Sequence, residues 1–302
     1  MFRNAVVGVD GTQGGRDAVA LVQRLLAGDG KLTLVHVHEG RLHPLHPVTP
    51  GLLDEEGEAS EKLLREELEN SGEGLQATLI SAVGASPGAT LHSQAEELDA
   101  DLVVVGSCRH GAIGRVMLGD DTRRALNGSP CAVAIASKRY AEHPKPFERI
   151  GVGYNDTPES RAALELARQV SAPTRARVQA LEVIAIPTYA YTGMVAASVG
   201  DEIDVVLKEA GERLRALPGV EGNAVYGLTG EELAAFGDEV DLLVVGSRGY
   251  GPWKRLVLGS TSDYLERHAR CSLLVLPRAA TQAGAREESS RSQAAAGAGS
   301  AA

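Results

Sequence analysis

Leu243–Leu276 reads LVVGSRGYGPWKRLVLGSTSDYLERHARCSLLVL, and this segment decides the fold because the chain has already used its pattern once. The earlier version, Val103–Ala136, reads VVVGSCRHGAIGRVMLGDDTRRALNGSPCAVAIA. Gly106 pairs with Gly246, Gly111 with Gly251, Gly119 with Gly259 and Cys131 with Cys271, each pair 140 residues apart. Upstream, AVVGVDGTQGGRDAVAL from Ala5 aligns with IGVGYNDTPESRAALEL from Ile150 at an offset of 145. Two ordered blocks at nearly equal offsets mark a tandem repeat. The difference between the offsets means that the second copy has lost a few residues between its two landmarks.

Within each copy, short apolar runs alternate with stretches of helical period. The first copy predicts strands at 5–9, 32–37, 76–82, 102–105 and 132–136, with helices at 15–26, 54–69, 88–98 and 120–126. The second predicts strands at 149–153, 177–184, 224–228, 242–245 and 273–276, with helices at 158–170, 199–216, 231–236 and 260–267. The alternation implies two tandem α/β units of Rossmann-like or flavodoxin-like type. Each is an open sheet of five mainly parallel strands, ordered 3-2-1-4-5, with helices on both faces. The expected limits are 1–138 and 149–278, joined by a linker at 139–148. The tail 279–302, rich in Ala, Gly, Ser and Gln, cannot build a core and is expected to be disordered. Pro and Gly keep the stretches 40–52 and 187–198 out of regular structure.

Aromatic residues make up only 4% of the chain against 43% hydrophobic residues overall, so the core must be Val, Leu, Ile and Ala. That suits strands buried on both faces. A formal charge of −10 argues against coating nucleic acid or an anionic membrane, either of which needs a basic face. A small anionic ligand needs only local backbone donors and stays open. No apolar run approaches the ~18 residues of a membrane span. The opening MFRNAVVGVDGT turns polar too soon for a signal peptide, and the three cysteines form no CxxC pair, so a cytoplasmic protein is expected.

In an open doubly wound sheet, ligands bind beyond the carboxyl ends of the strands where the order reverses, here between the first and fourth strands. The two repeated blocks begin at those strand ends. In the second copy the loop is Gly246-Ser-Arg-Gly249, nine further residues, then Gly259-Ser260 opening a helix. Glycines let the main chain approach a ligand, and free amides at a helix start attract phosphate.

This G-x₂-G-x₉-G-S spacing resembles the nucleotide-binding signature of the universal stress protein family, and the resemblance covers both copies. It implies that Gly246, Gly249, Gly259 and Ser260, with Thr261 beside them, hold the ribose and phosphates of ATP, a Mg²⁺ ion accompanying the nucleotide. Asn155, followed by Thr157, stands where the family's adenine-contacting Asp would be; Asn keeps an acceptor and adds a donor. The first copy retains Asp10, Thr12, Gly106 and Gly119, but Arg109 replaces the second glycine and Asp120 the Ser/Thr. A carboxylate where phosphate should dock makes this a weaker or vestigial site. The family also implies that the last strands pair the copies into an intramolecular pseudo-dimer, with a homodimer of chains as a further option.

Other candidates are His36 and His38 on one strand face, with His43 and His46 nearby, where zinc competes with plain hydrogen bonding. Cys108 lies beside Arg109 and His110, neighbours that favour a thiolate. There is no GxSxG, Walker or HExxH motif, and Ser81-Ala82 occupies the place of a receiver-type phosphoacceptor Asp. The expected function is therefore ATP-binding regulation of a stress response. A slow hydrolase or phosphotransferase with Asp156 as the acid to test, or a ligand-free structural protein, stand as alternatives.

Overall fold

Runs such as Leu102–Val105 and Leu273–Leu276 offer apolar side chains to both faces of a strand, and the chain covers both faces with helices. The computed structural model describes residues 1–38, 50–72, 74–107, 128–185, 198–247 and 260–277. The first copy comprises β1 (Phe2–Gly8), α1 (Gln13–Leu25), β2 (Leu26–His38), α2 (Pro50–Asn70), β3 (Thr78–Val83), α3 (Pro87–Glu97), β4 (Leu102–Gly106) and β5 (Ala132–Ala136). A 3₁₀ turn at Tyr140–Glu142 follows. The second copy comprises β6 (Arg149–Gly153), α4 (Pro158–Ser171), β7 (Arg177–Ala185), α5 (Ser198–Arg215), β8 (Val220–Gly227), α6 (Thr229–Phe236), β9 (Leu242–Gly246), α7 (Ser260–His268) and β10 (Ser272–Leu276). The helix expected at 120–126 and the tail lie outside the described residues.

Each half has the expected 3-2-1-4-5 order, but the halves are not two separate sheets. They join into one ten-stranded sheet, β3-β2-β1-β4-β5-β10-β9-β6-β7-β8. All pairs are parallel except β5–β10, where Ala134 faces Leu274 in an antiparallel register. Both strands would otherwise be apolar edges, and pairing removes that liability. Ser272, fully buried, accepts a hydrogen bond at its Oγ from the Ser137 amide at 3.1 Å across the joint. The molecule is thus an intramolecular pseudo-dimer.

One face of the sheet packs Val7, Leu34 and Val104 beneath Leu21 and Leu25 of α1 and Leu64 of α2. The opposite face packs Val6, Val35 and Val103 with Leu91 and Ala95 of α3. The second copy repeats both faces. An aspartate before the fourth strand fastens the first strand in each half. Asp101 accepts from the Arg3 and Asn4 amides at 2.8 and 2.9 Å, and Asp241 from those of Glu148 and Arg149 at 2.8 and 2.9 Å.

The pairings also locate the missing residues. The Val9 and Tyr154 amides donate to Val35 and Leu181 respectively, so those carbonyl residues correspond across the repeat. On the next strands Ala82 faces Val37 while Val225 faces Val183. The offset therefore falls from 146 at the second strand to 143 at the third and 140 at Asp101/Asp241. The loss lies between β7 and β9, and α6 has 8 residues where α3 has 11.

Two strand starts differ most from expectation. β2 begins at Leu26 and β8 at Val220, in each case several residues early. Both early stretches are polar or glycine-rich, AGDGK and EGN, where no apolar alternation signals a strand; β8 pairs with β7 from Val220 on, while β2 pairs with β1 at Leu26 and again from Lys31 across an irregularity.

Candidate functional site

Each copy turns from its first strand into its first helix through a four-residue segment that ends in Asp10-Gly11-Thr12 or Asn155-Asp156-Thr157. The middle residue is left-handed in both, with φ +72° at Gly11 and +58° at Asp156, which explains glycine in one copy and aspartate in the other. The threonines cap the helices. The Thr12 hydroxyl accepts from the Gly14 amide, and Thr157 forms a capping box with Ser160. Asp10 Oδ1 accepts from the Thr12 amide at 3.0 Å and its hydroxyl at 2.6 Å. Asn155 Oδ1 accepts from the Thr157 hydroxyl at 2.9 Å. Thr12 and Thr157, expected to touch ligand, thus have their hydroxyls committed to the turn.

Above β6 and β9 in the second copy lies a cleft of about 340 Å³. Leu181 and Val183 of β7, Val245 of β9 and Leu233 of α6 make an apolar wall. Asn155, Thr157, Glu159, Ser160 and Thr229 line it from the helix starts, and Gly246, Thr261 and Ser262 close the far side. The structure therefore brings Asn155, Thr157, Gly246 and Thr261 to one cavity. Ser260 begins α7, whose positive end meets the cleft through Thr261 and Ser262. Gly249 and Gly259 lie outside the described residues.

The fourth-strand glycines need a corrected explanation. The sequence alone expects them to leave room for a ligand. A Cβ on Gly246 would instead sit 2.7 Å from Glu159 Cβ and 2.9 Å from the Glu159 carbonyl oxygen. A Cβ on Gly106 would fall on the main chain of Gly14. Both glycines are dictated by the helix start packing directly over the strand end. That close approach in turn places the helix amides beside the cleft.

Sequence reading missed the apolar wall. Its signal was present, since Leu181, Val183 and Val245 end apolar strands on one face, but α6 closes the pocket only after the chain folds. In the first copy Asp10 and Gly106 occupy the corresponding places, while Gly119, Asp120, Arg109 and Cys108 lie outside the described residues.

The remaining candidates have other duties. Asp156 Oδ1 accepts from the Tyr154 hydroxyl and from Arg161 Nε, both at 2.9 Å. The Arg161 hydrogen bond first, then that of Tyr154, holds this carboxyl below its ordinary range, which makes it a poor base. His36 Nδ1 lies 2.8 Å from Ser60 Oγ, and His38 Nε2 lies 3.1 Å from Ser81 Oγ. The two rings do share a face, with centroids 6.3 Å apart, and burial first, then His38, lowers the His36 pKa. Among the described residues no group of three or more His, Cys, Asp or Glu could hold a metal. Cys131 and Cys271 are buried, and burial pushes both thiols up to about 12. No helix among the described residues is long and apolar enough to cross a membrane.

Two α/β halves, each with a switch point between its first and fourth strands, define a doubly wound protein with a cleft at the second of those points. The chain matches the Universal stress protein family at residues 1–137 and again at 146–277, and it belongs to that family. Universal stress protein Rv2319c of Mycobacterium tuberculosis is 28% identical over 72% of this chain and 78% of its own length. Universal stress protein Rv2624c of the same organism is 25% identical over 92% and 97%. A universal stress protein structure from Archaeoglobus fulgidus superposes with a TM-score of 0.62 at 18% identity, covering 91% of this chain and 98% of that one, which shows the shared fold.

Proposed function

We propose that this protein is an adenine-nucleotide-binding stress regulator of the cytoplasm, with ATP held in the second copy and the first copy serving chiefly as its structural partner. The observation that carries the reading is the cleft, in which an apolar wall adjoins the positive end of α7. Leu181, Val183, Leu233 and Val245 would cover the faces of a base. Thr261, Ser262 and the first amides of α7 would meet the phosphates. Occupancy would stiffen the ends of β6, β9 and α7 together, and α7 leads directly into the β10 joint with the first copy.

Magnesium would arrive on the phosphates. The cleft offers it Glu159 and hydroxyls rather than a cage of carboxylates, and Mg²⁺ commonly keeps several waters and binds through phosphate oxygens. It would neutralise phosphate charge there. Hydrolysis finds less support, because Asp156 is tied to Arg161 and Tyr154 and is not among the cleft-lining groups.

Thr261→Asp tests the placement of the phosphates. Two unit charges ~5 Å apart at an effective dielectric of ~20 repel by about 3 kcal/mol before salt screening. Calorimetric titration of ATP is expected to show at least a tenfold loss of affinity. Unchanged affinity would remove the phosphates from this end of the cleft.

A further inference from the structure

A second cavity, of about 380 Å³, lies between α6 and the outer strands β7 and β8. Glu232, Ala235, Phe236 and Glu239 recur at spacings of three, four and seven and give it one side. Gln179 and Leu181 of β7 and Glu221, Asn223 and Val225 of β8 give it the other. In the first copy the matching positions are packed. Thr33, Val35 and Ile80 stand where Gln179, Leu181 and Asn223 stand here, by the offsets of 146 and 143 on these strands. Thr33 and Val35 are buried, and Ile80 packs on the core. The second copy thus has larger polar side chains on this face, beneath a helix of 8 residues rather than 11.

Gln179 shows what the cavity lacks. Its Nε2 donates to Glu221 Oε2 at 2.9 Å, and since an ionised carboxylate only accepts, the amide nitrogen must be the atom on that side. Gln179 Oε1 is then an acceptor, and it is buried with no hydrogen-bond partner among the described residues. A buried acceptor calls for a donor. Glu221, Glu232 and Glu239 add negative charge, and among the described residues no cation pairs with them. Arg213 and Arg270 are engaged by Glu182 and Asp238, and the exposed Arg177, two residues before Gln179, does not line the cavity.

An alkylammonium group answers this set. It brings three N–H donors and a positive charge, while its methylenes lie along Leu181, Val225 and Phe236. Glu232 and Glu239 are seven residues apart, roughly 10 Å along a helix axis, so one ammonium cannot serve both. A chain with ammonium groups at intervals can. A bare metal ion fits less well, because among the described residues no group of three His, Cys, Asp or Glu could hold one. We propose that the groove between α6 and β8 is a second ligand site, which takes a linear aliphatic polyamine. Its lining shares only Leu181 with that of the nucleotide cleft, and its volume is that of a small-molecule site.

Calorimetric titration of spermidine into the full chain at physiological ionic strength tests the proposal, since diffuse attraction to an acidic surface is screened there. Saturable binding to one site is expected. Glu221→Gln with Glu239→Gln is expected to weaken it at least tenfold, and Ala235→Trp, which fills the groove without changing charge, by a similar factor. All three positions are exposed, so melting temperatures are expected to hold. Glu55→Gln with Glu58→Gln removes the same charge from exposed positions on α2 and is expected to leave binding unchanged. Absence of saturable binding, an equal loss in the α2 variant, or full affinity in Ala235→Trp would overturn the proposal. None of the altered residues lines the nucleotide cleft, so each of these results leaves that reading as it stands.

Discussion

Gly106→Ala will unfold at a melting temperature about 6–10 °C below that of the unaltered chain, the shift corresponding to about 3 kcal/mol for a protein of this size. The added methyl group has no rotamer with which to escape, since a Cβ is fixed by the backbone. It would land on the Gly14 main chain, at the first turn of α1. Relief requires α1 to lift from β4. α1 carries Leu21, Val22 and Leu25, all fully buried, so the strain spreads into the larger face of the core. Gly246→Ala meets Glu159 Cβ and its carbonyl at 2.7 and 2.9 Å, a looser contact, and is expected to lose about half as much. Thermal unfolding of both variants checks the ranking. A Gly106→Ala protein as stable as its parent would contradict the packing explanation.

Asp17→Ala will be destabilised by a comparable amount, about 3 kcal/mol, for a different reason. Asp17 is 1% exposed and lies on α1, where an acidic residue would ordinarily point to water. Instead its two oxygens accept from the Arg139 and Ala141 amides, each at 2.8 Å, and from Gln13 Nε2 at 3.0 Å. It therefore ties the chain leaving β5 back onto the first copy. Arg139 is left-handed there, at φ +64°, a conformation held by this anchor and the 3₁₀ turn that follows. Truncation strands two main-chain donors at roughly 1–3 kcal/mol each, partly recovered by water. Asp17→Asn keeps one acceptor and turns an N–H towards the other amide, so it is expected to fall between. Urea unfolding curves of the three proteins supply the comparison. Equal midpoints would mean that the segment after β5 is held by Phe147 and Tyr140 alone.

The strand order and most helix limits were legible because burial on two faces writes long apolar runs. β5, β6 and the start of α4 were predicted to the residue. The joint between the halves was visible only as a pair of apolar edges, and the family resemblance supplied the pairing. Asp17 was not legible. It has no counterpart in the second copy, where Ala162 stands. The corrected role of Gly106 and Gly246 was not legible either. A glycine spacing shows where the main chain comes close to something, but not whether the neighbour is a ligand or a helix.

The central claim is that the second copy grips a nucleotide through its own main chain. Titration of ATP into Gly259→Asp and Gly119→Asp, in parallel with the unaltered chain, tests it most directly. The account predicts that Gly259→Asp loses at least tenfold in affinity by placing a carboxylate against phosphate, while Gly119→Asp binds as its parent does. Full affinity in Gly259→Asp, or loss confined to Gly119→Asp, would contradict it.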